Sequence, residues 1–130
     1  MGYTIDLEGD DLRCRSEADA RTAVAVIENG RWIHPYHLQV SVACRSNPPC
    51  DDAWQLEVDH FQGDHWNEDE ARRVWLAIAP FMVDGAVIEF QGEDSERWRI
   101  RWHEGHVFEE YITDIVWAVN QEITATKEDV

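Results

Sequence analysis

The sequence predicts an α+β protein in which an antiparallel sheet of five to six strands carries two α-helices on one face. The segment 67–117 begins with an amphipathic helical pattern and continues with three alternating apolar and polar stretches separated by turn residues. A second amphipathic stretch follows Ser16, and two more alternating stretches lie within residues 37–61. Strands joined by short turns pair antiparallel, and amphipathic helices then cover one face of the sheet.

The first residues of the chain alternate in the manner of a half-buried strand. Tyr3, Ile5 and Leu7 are apolar and are separated by polar residues. Residues 9–11, Gly-Asp-Asp, predict a turn, and residues 12–15 a short returning strand. The sequence therefore favours an N-terminal hairpin.

Ser16 predicts the start of a first helix, over residues 17–28, because a hydroxyl at the N-cap accepts a hydrogen bond from the first turn. The apolar stripe of this helix is Ala20, Ala23, Val24 and Ile27. Residues 37–45 and 54–61 then alternate as two strands, joined by a loop that contains two prolines.

The second helix is predicted from an N-cap at Asn67 to Pro80, with acidic residues in its first turn. Its apolar stripe is Ala71, Val74, Trp75 and Ile78. Three strands are predicted after it, over residues 86–90, 97–102 and 107–117. The polar residues 120–130 are expected to fray, which leaves one domain over residues 1–119.

The charge of the chain limits its partners. It has 27 acidic and 11 basic residues among 130, a formal net charge of −16. A field of one sign repels nucleic acid and anionic membranes and attracts basic surfaces. The sequence therefore predicts no direct nucleic-acid binding and no membrane binding, and it favours a basic protein surface as partner. Solubility or adaptation to high salt is the alternative explanation of the acidity.

The compartment is predicted to be the cytoplasm of whatever cell makes the protein. No apolar run approaches the ~20 residues of a membrane-spanning helix, and the first residues lack the pattern of a signal peptide. Cys14, Cys44 and Cys50 are odd in number and form no CxxC pair, so free thiols are expected. The sequence assigns them no role.

No catalytic residue, cofactor or metal site is predicted, and the chain is interpreted as a non-enzyme. It lacks a GxSxG motif, a glycine-rich phosphate loop and the Cys and His spacings typical of zinc sites. The row Arg97, Arg99 and Arg101 resembles a phosphate-binding row. However, cross-strand ion pairs with Glu89, Glu109 and Glu110 are the better explanation.

The candidate partner-binding surface is an acidic segment around the start of the second helix. Trp66 beside it is interpreted as an interface anchor or, alternatively, as a hydrophobic staple of the helix. Carboxylates on a strand, a loop and a helix N-terminus could imitate a run of phosphates and meet arginine and lysine side chains of a partner. A solvated, charge-rich surface is the alternative. The candidate residues are Asp51, Asp52, Asp59, Asp64, Trp66, Glu68, Asp69 and Glu70.

The last 50 or so residues resemble a set of small, acidic, uncharacterised proteins of bacterial phages and other mobile elements. The resemblance lies in residues 79–81 (Ala-Pro-Phe), 84–85 (Asp-Gly), 88–94, 98–100 and 115–117 (Ile-Val-Trp). It departs from the family pattern at Ala86, Val87 and Ser95. The family has no assigned activity, but its context implies interference with host defence.

Together these features predict a non-enzymatic inhibitor that binds a basic, nucleic-acid-handling host protein through a nucleic-acid-mimicking surface. Anti-CRISPR or other anti-defence action is the specific expectation, with a CRISPR effector or another nuclease complex as partner. The alternative is a self-associating structural or housekeeping protein of the mobile element. The sequence does not determine the oligomeric state.

Overall fold

The fold was analysed in a computed structural model, which describes residues 5–29, 37–48, 53–62, 68–94, 96–113 and 116–124. It confirms the α+β class with an antiparallel sheet, but the prediction of five to six strands was wrong because the sheet has seven. The elements are β1 (Ile5–Arg13), α1 (Glu17–Asn29), β2 (His37–Cys44), β3 (Trp54–Gln62), α2 (Glu68–Ala77), a 3-10 turn (Ala79–Phe81), β4 (Val87–Gly92), β5 (Arg97–His103), β6 (His106–Thr113) and β7 (Val116–Ile123). Within the described ranges, no helix is long and apolar enough to span a membrane.

The strand order is β2-β3-β1-β4-β5-β6-β7, and all neighbours are antiparallel. β1 pairs with β4 over Ile5–Asp11, but it pairs with β3 only through Leu12 and Arg13. β3 therefore diverges from the N-terminal part of β1, and the sheet opens between these two strands.

The N-terminal hairpin expected from the sequence was wrong. β1 is one strand of nine residues, and Gly9 lies inside it, opposite Glu89. The register shifts between Leu7 and Gly9, so Glu8 is an extra residue in β1. A bulge accommodates one extra residue in a strand, so that pairing continues on both sides of it. Pairing with β4 thus places residues that predict a turn in a β-ladder.

The end of the chain also differs from the expectation. The predicted strand over residues 107–117 is divided into β6 and β7, and β7 pairs with β6 from Val116 to Ile123. Ile123 is buried opposite Val107. Residues 120–123 of the expected tail therefore belong to the sheet, whereas residues 125–130 lie outside the described part.

The helices were predicted well because their signals are local. The Asp19 amide donates to Ser16 Oγ at 3.1 Å, which confirms the N-cap of α1. Ala20, Ala23 and Ile27 of α1 are buried, as are the four residues of the predicted α2 stripe, Ala71, Val74, Trp75 and Ile78. Asn67, the predicted cap of α2, lies outside the described residues.

The buried faces of both helices form one core with the inward side chains of the sheet. Trp98, Ile100 and Trp102 of β5 point into this core, as their alternation predicted. Trp102 Nε1 donates to the Trp75 carbonyl at 3.1 Å, and the two rings meet edge to face at 6.1 Å. α2 is thereby held against the β4–β6 meander.

Candidate interaction surface

The structure describes the side chain of one residue in the predicted partner-binding set. Asp59 is exposed on β3. Glu68, Asp69 and Glu70 form the first turn of α2, but their side chains lie outside the described part. Asp51, Asp52, Asp64 and Trp66 also lie outside it. Among the predicted residues, the geometry of the surface is therefore known only for Asp59.

The exposed carboxylates on β1 and β3 form a wider group than the sequence predicted. Five exposed residues on the neighbouring strands β1 and β3, which we call the acidic strand surface, are Asp6, Glu8, Asp10, Glu57 and Asp59. Asp10 was overlooked because residues 9–11 were assigned to a turn, whereas Asp6 and Glu8 were assigned to the polar positions of the first strand and not to a binding surface. These three residues of β1 occupy every second position of the sequence, but the bulge after Leu7 changes their faces. Asp6 lies opposite the partly exposed Gln91, whereas Asp10 lies opposite the buried Ile88.

Electrostatic repulsion acts within this surface. The pKa of Asp10 is raised, first by burial of its carboxyl group and then by the charges of Asp11 and Glu57. β1 and β3 therefore bring carboxylates close together where the sheet opens. Arg13 Nε lies 2.9 Å and Arg45 Nη1 lies 3.7 Å from Asp11 Oδ1. Both arginines therefore form ion pairs with Asp11.

The arginine row on β5 is largely neutralised. Arg99 Nε donates to Glu110 Oε1 at 2.6 Å, and Arg101 Nε donates to Glu110 Oε2 at 3.1 Å. Arg101 also lies over the Phe108 ring, 4.9 Å from its centroid. Glu110 is 4% exposed, so this is a buried ionic network. The predicted cross-strand ion pairs are confirmed for these two arginines.

Glu109 does not join this network, which corrects the prediction for that residue. Successive residues of a strand point to opposite faces, so Glu109 faces α2 while Glu110 faces away. Arg72 Nε donates to Glu109 Oε2 at 2.9 Å, and Asn120 Nδ2 donates to Glu109 Oε1 at 3.2 Å. Arg97 Nε is buried and has no hydrogen-bond partner in the described ranges.

The cleft beside Glu109 is too small for a metabolite. It lies between α2, β5 and β6 and has room for about one water molecule. Its lining residues are Ala71, Arg72, Trp75, Trp98, Ile100, Glu109 and Tyr111. In the part of the chain that the structure describes, no three His, Cys, Asp or Glu side chains are grouped to hold a metal ion.

Cys14 is poorly suited to nucleophilic chemistry. It is fully buried, and burial, followed by the charge of Asp19, raises the pKa of its thiol to about 12. The reactive form of a cysteine is the thiolate, so Cys14 stays protonated and inert at neutral pH. Cys44 is a partly exposed free thiol, and Cys50 lies outside the described residues.

Comparisons with known proteins add no functional assignment. No protein-family model, curated protein or solved structure matches the chain. The resemblance to proteins of phages and mobile elements therefore stays a prediction.

Proposed function

We propose that the protein is a non-enzymatic inhibitor that binds a basic, nucleic-acid-handling host protein through an acidic surface that imitates nucleic acid. It acts in the cytoplasm of a host bacterial cell, with a CRISPR effector or another nuclease complex as the partner class. The observation that carries this proposal is the crowding of Asp10, Asp11 and Glu57 where β1 and β3 diverge.

Crowded carboxylates favour a cationic partner. Repulsion raises the free energy of the unbound protein, and an approaching arginine or lysine relieves it. Arg13 is the single arginine of β1 and β3, which contain no lysine, and it binds Asp11; His60 of β3 is the other basic residue. The neighbouring exposed carboxylates of Glu8 and Asp59 therefore remain available to an external cation.

The location of the arginines supports the same proposal. Arg72, Arg99 and Arg101 bind the buried residues Glu109 and Glu110, so their charge is used inside the fold. Eight of the 11 basic residues then remain against 25 of the 27 acidic residues in a chain of net charge −16. A field of this sign accelerates encounter with basic grooves at low salt.

Competition with DNA provides the test. Purified nucleases and CRISPR effector complexes are loaded with a fluorescent DNA, and its displacement by the protein is followed by fluorescence anisotropy at several salt concentrations. We expect displacement of DNA from at least one effector, with an affinity that falls steeply as salt rises.

Two charge-matched variants locate the surface. The first replaces Asp6, Glu8, Glu57 and Asp59 with their amides, and it should weaken displacement by about tenfold or more, since several charge contacts are lost. The control neutralises four exposed acids elsewhere, Glu28, Glu93, Asp94 and Glu104. Equal loss in both variants would mean that net charge, rather than this surface, directs binding.

A third variant tests the acidic segment predicted from the sequence. It neutralises Asp51, Asp52, Asp64, Asp69 and Glu70 while leaving β1 and β3 intact. If only this variant loses displacement, binding is centred at the start of α2 and not at the acidic strand surface. Absence of displacement from every effector tested would contradict the proposed function.

A further inference from the structure

The free edge of β7 differs in chemistry from the rest of this acidic chain. β7 is the last strand of the sheet, and within the described ranges no strand pairs with its outer edge. Its sequence, Val-Trp-Ala-Val-Asn-Gln-Glu-Ile, contains one ionisable residue, Glu122. Edge strands are usually protected from further pairing by charged residues, proline or a bulge.

The segment Val116–Val119 has none of these protections. It pairs with Glu110–Thr113 in regular register, and the bulge of β7 lies beyond it, between the positions opposite Glu109 and Glu110. Its four residues are apolar and uncharged. Its backbone can therefore accept another strand without burying a charge.

An exposed apolar patch adjoins this edge. Val119 is 57% exposed and Ile112 is 36% exposed, and they are the large hydrophobic residues that the described part of the chain exposes. Val119 lies opposite Glu110 on β6, and Ile112 is two residues further along that strand. Such diagonal neighbours share a face and lie about 7 Å apart.

We propose that this edge is a self-association site, at which a second copy of the chain adds its β7 antiparallel to the first. A two-fold axis perpendicular to the sheet and beside Ala118 or Val119 joins the two sheets into one. Residues of the same face then meet, so the two Val119 side chains become direct or diagonal neighbours.

Charge favours a second copy over a basic partner at this edge. Around an axis beside Ala118, Val116–Val119 of each copy meets uncharged residues of the other. Around an axis beside Val119, Val116 meets Glu122, and in both arrangements no carboxylates oppose one another within the segment. The segment Val116–Val119 has no carboxylate with which a basic partner could form an ion pair. Since β7 is separated from β1 by β4, β5 and β6, the acidic strand surface of each copy stays accessible.

The oligomeric state and its salt dependence test this inference. Sedimentation velocity is measured on the full chain over a range of concentrations, at about 0.01 M and about 1 M salt, where the Debye length is roughly 30 Å and 3 Å. We expect a monomer–dimer equilibrium that tightens with salt, because salt screens the repulsion between two chains of charge −16. Binding to a basic effector should instead weaken with salt.

A single substitution tests the location. Val119→Lys places a cation on each copy at the centre of the interface and should weaken dimerisation by about tenfold or more. Ala25→Lys, at an exposed position of α1, makes the same change in net charge and should leave the dimer intact. Circular dichroism verifies that both variants are folded.

Cross-linking provides a second readout, which reports which residues lie close together in the dimer. In a Cys44→Ser, Cys50→Ser background, Val119→Cys should form a covalent dimer with a short bismaleimide, whereas Asp6→Cys on β1 should not. The buried, protonated Cys14 will not react.

Three results would overturn the proposal. They are a monomer under all conditions, equal dimerisation of Val119→Lys and Ala25→Lys, and equal cross-linking at positions 119 and 6. The variant with a neutralised acidic strand surface should still dimerise. Failure of self-association can thus be distinguished from failure of the proposed inhibitory function.

Discussion

The β4–β6 meander contains charged residues similar to those in the region where β1 and β3 diverge, which we call the β1–β3 junction. The two regions differ in how these charges are paired. In the meander, Glu110 accepts hydrogen bonds from Arg99 and Arg101 and is almost completely buried. At the junction, the pKa of Asp10 is raised first by partial burial of its carboxyl group and then by the charges of Asp11 and Glu57. Acidity therefore stabilises one region and leaves the other strained by repulsion, and this difference directs the search for a partner to the junction.

The largest expected effect comes from breaking the buried network. Glu110→Ala leaves the partly buried Arg99 and Arg101 without their carboxylate and should lower the free energy of unfolding by about 3 kcal/mol. Urea denaturation followed by tryptophan fluorescence measures it. Glu8→Ala, at an exposed position of the junction, should change stability by less than about 0.5 kcal/mol. Similar losses of unfolding free energy in both variants would contradict the proposed difference between the meander and the junction.

Within the arginine row, the effects should be smaller and unequal. Arg99→Met removes a donor of Glu110 and should cost about 1.5 kcal/mol. Arg97→Met instead replaces a group whose buried Nε has no partner in the described ranges, so stability should stay within about 0.5 kcal/mol or rise. The same denaturation measurement compares the two. A larger loss for Arg97→Met would show that Arg97 contributes to the fold.

The smallest effect is expected at the junction and depends on pH. Because the pKa of Asp10 is raised above its ordinary value of 3.8, the folded state binds this proton more tightly than the unfolded state. Ionised Asp10 therefore destabilises the fold at neutral pH. Asp10→Asn should raise Tm slightly at pH 7, and the gain should disappear as the pH falls towards 3.8 and below.

Thermal unfolding over this pH range checks the prediction, with Asp6→Asn as the control that removes the same charge from the same strand. A gain for Asp10→Asn that persisted at the lowest pH would contradict it, because repulsion between ionised carboxylates could not then be its cause. A loss of stability at pH 7 would contradict it as well.

How much of this molecule was predictable depends on the range of the interactions involved. The α1 cap at Ser16, the stripe of α2 and the inward side chains of β5 follow from neighbours a few residues away, and they were predicted correctly. Asp59 was predicted as a surface residue and is exposed. The remaining predicted residues of the surface lie at positions whose side chains the structure does not describe.

The failures all involve distant partners. Gly9 has the local signature of a turn, but pairing with β4 carries the strand through it. Residues 120–123 have the polar composition of a tail, yet pairing with β6 and burial of Ile123 hold them in the sheet. The local pattern is unchanged in each case, but a non-local ladder outweighs it.

The sequence by itself determined the class of the fold, the helices and the overall acidity, because these depend on composition and on local periodicity. Only the tertiary structure decided which carboxylates are neutralised and which remain exposed. Glu109 and Glu110 are adjacent in the chain but meet Arg72 on one face and Arg99 and Arg101 on the other. Coulomb energy depends on distance in space and on burial, and neither can be read from spacing along the chain.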